Sequence, residues 1–92
     1  MGQCHATPDA TLLVKLCAVA LMLYSRLLYC AKAAGREEVE RMRHERAGHA
    51  DAAVHAAARR DSYRAQCAKI CAARSELLNQ LRPLLAPHAA LL

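Results

Sequence analysis

The chain has 92 residues and a formal net charge of +5, enough for one small unit and no more. Twenty-one residues are alanine, there is no Phe or Trp, and Tyr24, Tyr29 and Tyr63 supply all the aromatic area, which excludes a self-sufficient core of bulky side chains. The basic excess is mainly Arg mixed with Glu and lacks interleaved aromatics, so nucleic acid is not an expected partner.

Residues 1–10, MGQCHATPDA, form a polar lead. Met1-Gly2 followed by Cys4 raises N-myristoylation with palmitoylation, the two-signal arrangement for stable anchoring, although Ala6 stands where that motif takes Ser or Thr. Thr7-Pro8-Asp9 is a helix-start signal: a capping hydroxyl, a proline suited to the first turn and an acid that complements the dipole. An Arg-rich transit peptide is not expected, because the first basic side chain is Lys15 and Asp9 precedes it.

Residues 11–34, TLLVKLCAVALMLYSRLLYCAKAA, are the one stretch apolar enough to set where the protein resides. As a helix, Thr11 to Cys30 spans about 30 Å, the thickness of a hydrocarbon core. Lys15 and Arg26 interrupt it, leaving nine uninterrupted apolar residues, Leu16–Tyr24. A run that short also suits a soluble core helix or a signal-peptide centre. With the span centred between Ala20 and Leu21, however, the two long stems snorkel towards opposite interfaces. The sequence therefore predicts a single transmembrane helix, with Lys15, Arg26, Tyr29 and Lys32 at the membrane interfaces. No Lys or Arg precedes the span, whereas Lys32, Arg36, Arg41, Arg43 and Arg46 follow it. That asymmetry places the N-terminus outward and the C-terminal side in the cytoplasm or matrix, with anionic lipid headgroups near Lys32 and Arg36.

Residues 35–82 are predicted to form a charged, alanine-rich arm, either one long helix or a helical hairpin. In REEVERMRHERA, Arg36–Glu40, Glu37–Arg41 and Arg41–Glu45 are opposite charges one turn apart, each worth a few tenths of a kcal/mol. Gly48 marks a break or bend, and the small residues of HADAAVHAAA continue the helix and allow close backbone approach. His44, His49 and His55 have no zinc spacing, so no metal is expected. From Arg59 to Arg82 an apolar stripe follows helical spacing. Its Ile70, Leu77, Leu78 and Leu81, with Leu84 and Leu85 beyond Pro83, are the expected partner-binding residues, to be buried against 36–58 or against a partner helix. Arg59-Arg60-Asp61-Ser62 is the candidate turn if the arm is a hairpin. Five cysteines, Cys4, Cys17, Cys30, Cys67 and Cys71, form no disulfide framework, and Cys67 and Cys71 are expected to be buried thiols. Residues 83–92 make an apolar tail in which Pro83 and Pro87 end or kink the helix.

The expected fold class is all-α: one transmembrane helix followed by a long charged helix or hairpin. No glycine-rich phosphate loop, paired catalytic carboxylates or oriented nucleophile is visible, so neither an enzyme nor a cofactor is expected.

Leu12-Leu13-Val14-Lys15-Leu16, an apolar span with Tyr near its end, and then Arg36-Glu37-Glu38-Val39-Glu40-Arg41 resemble the layout of small accessory subunits of mitochondrial inner-membrane complexes. Among these the layout is most similar to subunit e of the ATP synthase, over roughly residues 12–46, although that family's Gly-x-x-x-Gly packing motif has no counterpart between Thr11 and Ala34. The resemblance implies a non-catalytic structural or assembly subunit of a respiratory-chain or ATP synthase complex. Its partners would be the other subunits and lipid, its site the mitochondrial inner membrane, with the arm on the matrix side. The other expectation is an N-terminally acylated peripheral adaptor, in which residues 11–34 are the core helix of a small bundle.

Overall fold

The computed structural model describes residues 8–85. They form two helices, α1 (Pro8–Arg46) and α2 (Ala50–Leu85), folded back on each other as an antiparallel hairpin with extents of 70 × 27 × 19 Å. The all-helical architecture is as the sequence predicts, with a long apolar helix followed by a second one. Gly2, Cys4, Thr7 and the tail beyond Leu85, Pro87 included, lie outside the described residues.

The turn is made by the residues Ala47, Gly48 and His49. The Gly48 N–H donates to the Glu45 carbonyl at 3.1 Å and the His49 N–H to the His44 carbonyl at 2.8 Å, the pair of bonds that closes a helix in a Schellman motif. That motif needs a left-handed residue between them, and Gly48 has φ 77°. Space around it is open, so only backbone handedness demands glycine; an L-residue there costs about 1–2 kcal/mol. The His49 carbonyl then accepts the first bond of α2 from the Ala53 N–H at 3.0 Å. One residue thus ends one helix and starts the next. The candidate turn at 59–62 is therefore corrected: those four residues lie inside α2, because Gly48 supplies a conformation that Arg59-Arg60-Asp61-Ser62 would adopt only at a cost.

Residues of α1 that turn away from water recur as Leu13, Leu16, Ala20, Leu23, Leu27, Cys30, Ala34, Glu37, Arg41 and His44, alternating three and four apart. On α2 the same alternation picks out Ala53, Ala56, Arg60, Tyr63, Cys67, Ile70, Arg74, Leu77, Leu81 and Leu84. This is the heptad seam of a coiled coil. Four contacts across it, Glu37 to Arg59, Glu38 to Arg60, Cys30 to Gln66 and Tyr24 to Arg74, set the register. Residues equally far from the Gly48–His49 peptide face each other, so Leu16 shares a layer with Leu81, Ala20 with Leu77 and Cys30 with Cys67.

Alanine lets the arms come close. Ala33, Ala34, Ala53 and Ala56 are buried, together with Cys30, Leu77 and Leu81, and no large side chain among the described residues is wholly enclosed. A two-helix seam can shield only one stripe of each helix, so the hairpin is held by small contributions along its length. α1 runs unbroken through Ala34 and Gly35, so the apolar 11–34 segment and the charged stretch after it are one rigid element. α2 likewise continues through Pro83 to Leu85; a proline in the last turn forfeits a single hydrogen bond.

Candidate interaction surface

The seam consumes most of the stripe that the sequence assigns to a partner. Leu77 and Leu81 are buried, and Ile70 and Leu84 half-buried, towards the 13–34 half of α1 rather than towards 36–58. Of the expected partner-binding residues, Ile70, Leu77, Leu81 and Leu84 thus turn towards the chain's own α1, Leu77 and Leu81 fully and Ile70 and Leu84 in part. The reason is register, since a turn at Gly48 sets 63–84 opposite 13–34. Leu78 and Leu85 remain exposed. Cys71 is exposed as well, contrary to expectation, because it flanks the seam, whereas Cys67 lies in it.

What stays uncovered is the outer face of α1. Val14 and Leu21 are 69% and 70% exposed, and Leu28, Met22 and Tyr29 continue the same stripe. Leu12, Val19 and Tyr24 widen it towards the seam on either side. α1 is long and apolar enough to cross a membrane, with a mean hydropathy of 1.8 over its best 18-residue window. By contrast, the exposed face of α2 beside it carries Arg64, Ala65, Lys69, Ala72, Ser75, Glu76, Asn79 and Arg82. The lower half of the hairpin is thus two-sided, with an apolar helix back and a hydrated helix back.

The predicted interface residues Lys15, Arg26, Tyr29 and Lys32 are all exposed on α1. Lys15 and Arg26 form no ion pair with Glu37 or Glu38: all four lie on the one unbroken helix, and a rise of about 1.5 Å per residue keeps them out of reach. Arg26 and Tyr29 line one wall of an open cleft of about 470 Å³ whose other wall is Gln66, Lys69 and Ile70.

The upper half is closed by charge. Glu37 accepts a hydrogen bond from Arg59 Nε at 2.8 Å, and Glu38 accepts from Arg60 Nη1 at 2.7 Å and from Arg41 Nε at 2.6 Å. Arg41 also reaches Glu45 at 2.7 Å. Of the three anticipated turn-to-turn pairs, Arg41–Glu45 forms, while Glu37 turns across the seam and Arg43 takes Glu40 at 2.6 Å. Hydrogen bonds from Arg41 and then Arg60 hold the Glu38 carboxyl at about 2, below its ordinary 4.5. Hydrogen bonds likewise push the arginines up, Arg41 chiefly through Glu38, Arg59 through Glu37, and Arg60 through Asp61, whose carboxylate accepts from Arg60 Nε at 3.0 Å, and then Glu38. A depressed carboxyl stabilises the fold above its unfolded value, and that contribution fades as acid protonates it. The urea midpoint should therefore fall as pH drops from about 4.5 towards 2, and Glu38→Gln should remove much of that slope while lowering the midpoint at neutral pH. An acid limb as steep in Glu38→Gln as in the wild type would show that other carboxyls set it.

Among the described residues, no three His, Cys, Asp or Glu side chains are grouped to hold a metal ion. The rings of His44 and His49 lie 6.0 Å apart, tilted at the turn. The seam itself went unseen in the sequence because alanines and charged residues fill many of its positions. Its legible part is the three-four alternation of Leu13, Leu16, Ala20, Leu23, Leu27, Cys30 and Ala34; beyond Ala34 only burial reveals it.

Comparison of the chain with protein-family models, with curated proteins and with solved structures finds no match.

Proposed function

We propose that this chain is a non-catalytic accessory subunit that joins a larger membrane assembly through the outer face of α1. The mitochondrial inner-membrane complexes are the class its layout resembles. One observation carries the reading: the stripe of Val14, Leu21, Met22, Leu28 and Tyr29 is apolar and open, bounded by the exposed Lys15 and Lys32, while the back of α2 is mostly polar. A surface of that kind is ordinarily covered by protein or lipid.

The closed hairpin favours side-on docking over a free span. With α2 packed along 13–34, Arg74 and Glu76 lie near the level of Ala20–Leu23, where the middle of a bilayer would be. Each such charge costs about 3 kcal/mol at a membrane centre. For α1 to span with the N-terminus outward and the arm on the matrix side, the lower arm must first leave. The peripheral-adaptor reading draws on this same packing, since 11–34 then serves as a core helix, with Gly2 and Cys4 as its anchors.

The test is native electrophoresis of gently solubilised membranes, with the chain detected by mass spectrometry, beside alkaline carbonate extraction. Co-migration with a respiratory or ATP synthase assembly, together with release by carbonate, is the expected result. Migration near its own mass would overturn the subunit role and leave the adaptor. Resistance to carbonate would show α1 inserted and the hairpin opened.

A further inference from the structure

We propose that Cys30 of α1 and Cys67 of α2, which face each other in one layer of the seam, are a redox pair that closes into a disulfide joining the two arms. The register places them together, and two further observations agree with it. Cys30 Sγ lies 3.5 Å from Gln66 Oε1, so this thiol already points across the seam at the residue beside Cys67. The Cys67 thiol in turn is pushed up by partial burial and then by the neighbouring Cys30 and Cys71.

Backbone spacing permits the bond. Packed helix axes lie about 8–10 Å apart and Cα atoms sit about 2.3 Å from each axis, so facing positions approach to within the roughly 4.4–6.8 Å that a disulfide spans. The next layer on the loop side sets buried Ala34, with Ala33 beside it, against the half-buried Tyr63, so α1 adds no bulk there. Other pairings fit less well. Cys67 and Cys71 are one turn apart on a single helix, and Cys17 is exposed near the far end of α1.

The chemistry is thiol–disulfide exchange with a small disulfide oxidant such as glutathione disulfide. The half-buried Cys67, as thiolate, attacks one sulfur of the oxidant, forming a mixed disulfide and releasing one glutathione thiolate. Cys30, at the edge of the open cleft, then displaces the second glutathione and completes the protein disulfide. Two electrons pass to the oxidant, and the two thiol protons end on the two glutathiones. The product ties residues 63–84 to 13–34, so the hairpin cannot open.

Trypsin separates the three relevant thiols, into Leu27–Lys32, Ala65–Lys69 and Ile70–Arg74. The full chain is incubated with glutathione disulfide, alkylated, digested and mapped by mass spectrometry, with an equal mixture of light and isotope-labelled chains to separate links within one molecule from links between two. The expected product joins Leu27–Lys32 to Ala65–Lys69 within one molecule. It persists in Cys71→Ser and disappears in Cys30→Ser and Cys67→Ser. Full alkylation of Cys30 and Cys67 after oxidation, a link between molecules, or glutathione held only on Cys17 or Cys71 would each overturn the proposal. The wild-type map decides this even if a serine variant folds poorly.

Discussion

Leu77→Ala with Leu81→Ala should undo the lower half of the hairpin, dropping the urea midpoint to the foot of its transition, whereas Leu78→Ala with Leu85→Ala should leave it nearly unchanged. Leu77 and Leu81 are each 6% exposed, one helical turn apart on the face of α2 that meets Ala20 and Leu16. Truncating a buried leucine costs about 2–5 kcal/mol, and a domain this small rarely holds more than about 3–5 kcal/mol in total. Two such losses exhaust the margin. Leu78 and Leu85 are 41% and 43% exposed, and substitutions away from buried contacts usually stay within about 0.5 kcal/mol. Because α2 is alanine-rich and 36 residues long, part of its helicity should survive separation. The opened state is therefore best read from small-angle scattering, as an increase in overall length with only a partial loss of far-ultraviolet helicity. Equal midpoints for the two double variants would mean that the seam is not where the stability resides.

Those four leucines also show what the sequence could and could not reveal. Their helical spacing was plain, and with it the all-helical class. Which of them faces inward depends on the register, and the register depends on where the chain turns. A turn at 59–62 would have set the stripe against 36–58; the turn at Gly48 sets it against 13–34. The choice rests on one residue free to adopt positive φ, and nothing in hydrophobic periodicity ranks Gly48 above a polar cluster such as Arg59-Arg60-Asp61-Ser62. The seam was obscure for a related reason. Its upper layers set Glu37 with Arg60, Arg41 with Ala56 and His44 with Ala53, so hydrophobic pattern fades just where the arms are held by ion pairs. Cys30 and Cys67 are 37 positions apart, and only folding makes them neighbours.

The same register decides how the apolar segment can be used. Considered alone, 11–34 belongs to a helix long and apolar enough to span a membrane. Paired with α2, it is half of a two-faced hairpin whose outer stripe carries the surplus hydrophobicity. Both descriptions rest on the same residues, and they differ in whether Arg74 stays over the Tyr24 ring, at 5.8 Å, or leaves with its arm.

If the outer face of α1 docks on a membrane assembly as proposed, Leu21→Glu with Leu28→Glu should abolish that association while leaving the hairpin folded. Both residues point away from α2, 70% and 42% exposed, so neither change disturbs a buried contact and the urea midpoint should move by less than about 1 kcal/mol. At a docked interface the balance is different. Each leucine gives up about 1.5–3 kcal/mol of apolar burial, and each new carboxylate must be desolvated or excluded. A combined loss near 5 kcal/mol weakens association by more than about a thousandfold. On a native gel the double variant should shift from the large assembly to its own mass, with an unchanged circular dichroism spectrum. Lys32→Ala, on the exposed back of the same helix beyond the apolar stripe, should weaken association far less and more visibly at low salt. Retention of the double glutamate variant in the assembly would remove the outer face of α1 as the docking surface. Attention would then pass to the exposed Leu78 and Leu85 of α2, the remaining large apolar residues on the other helix at that end of the hairpin.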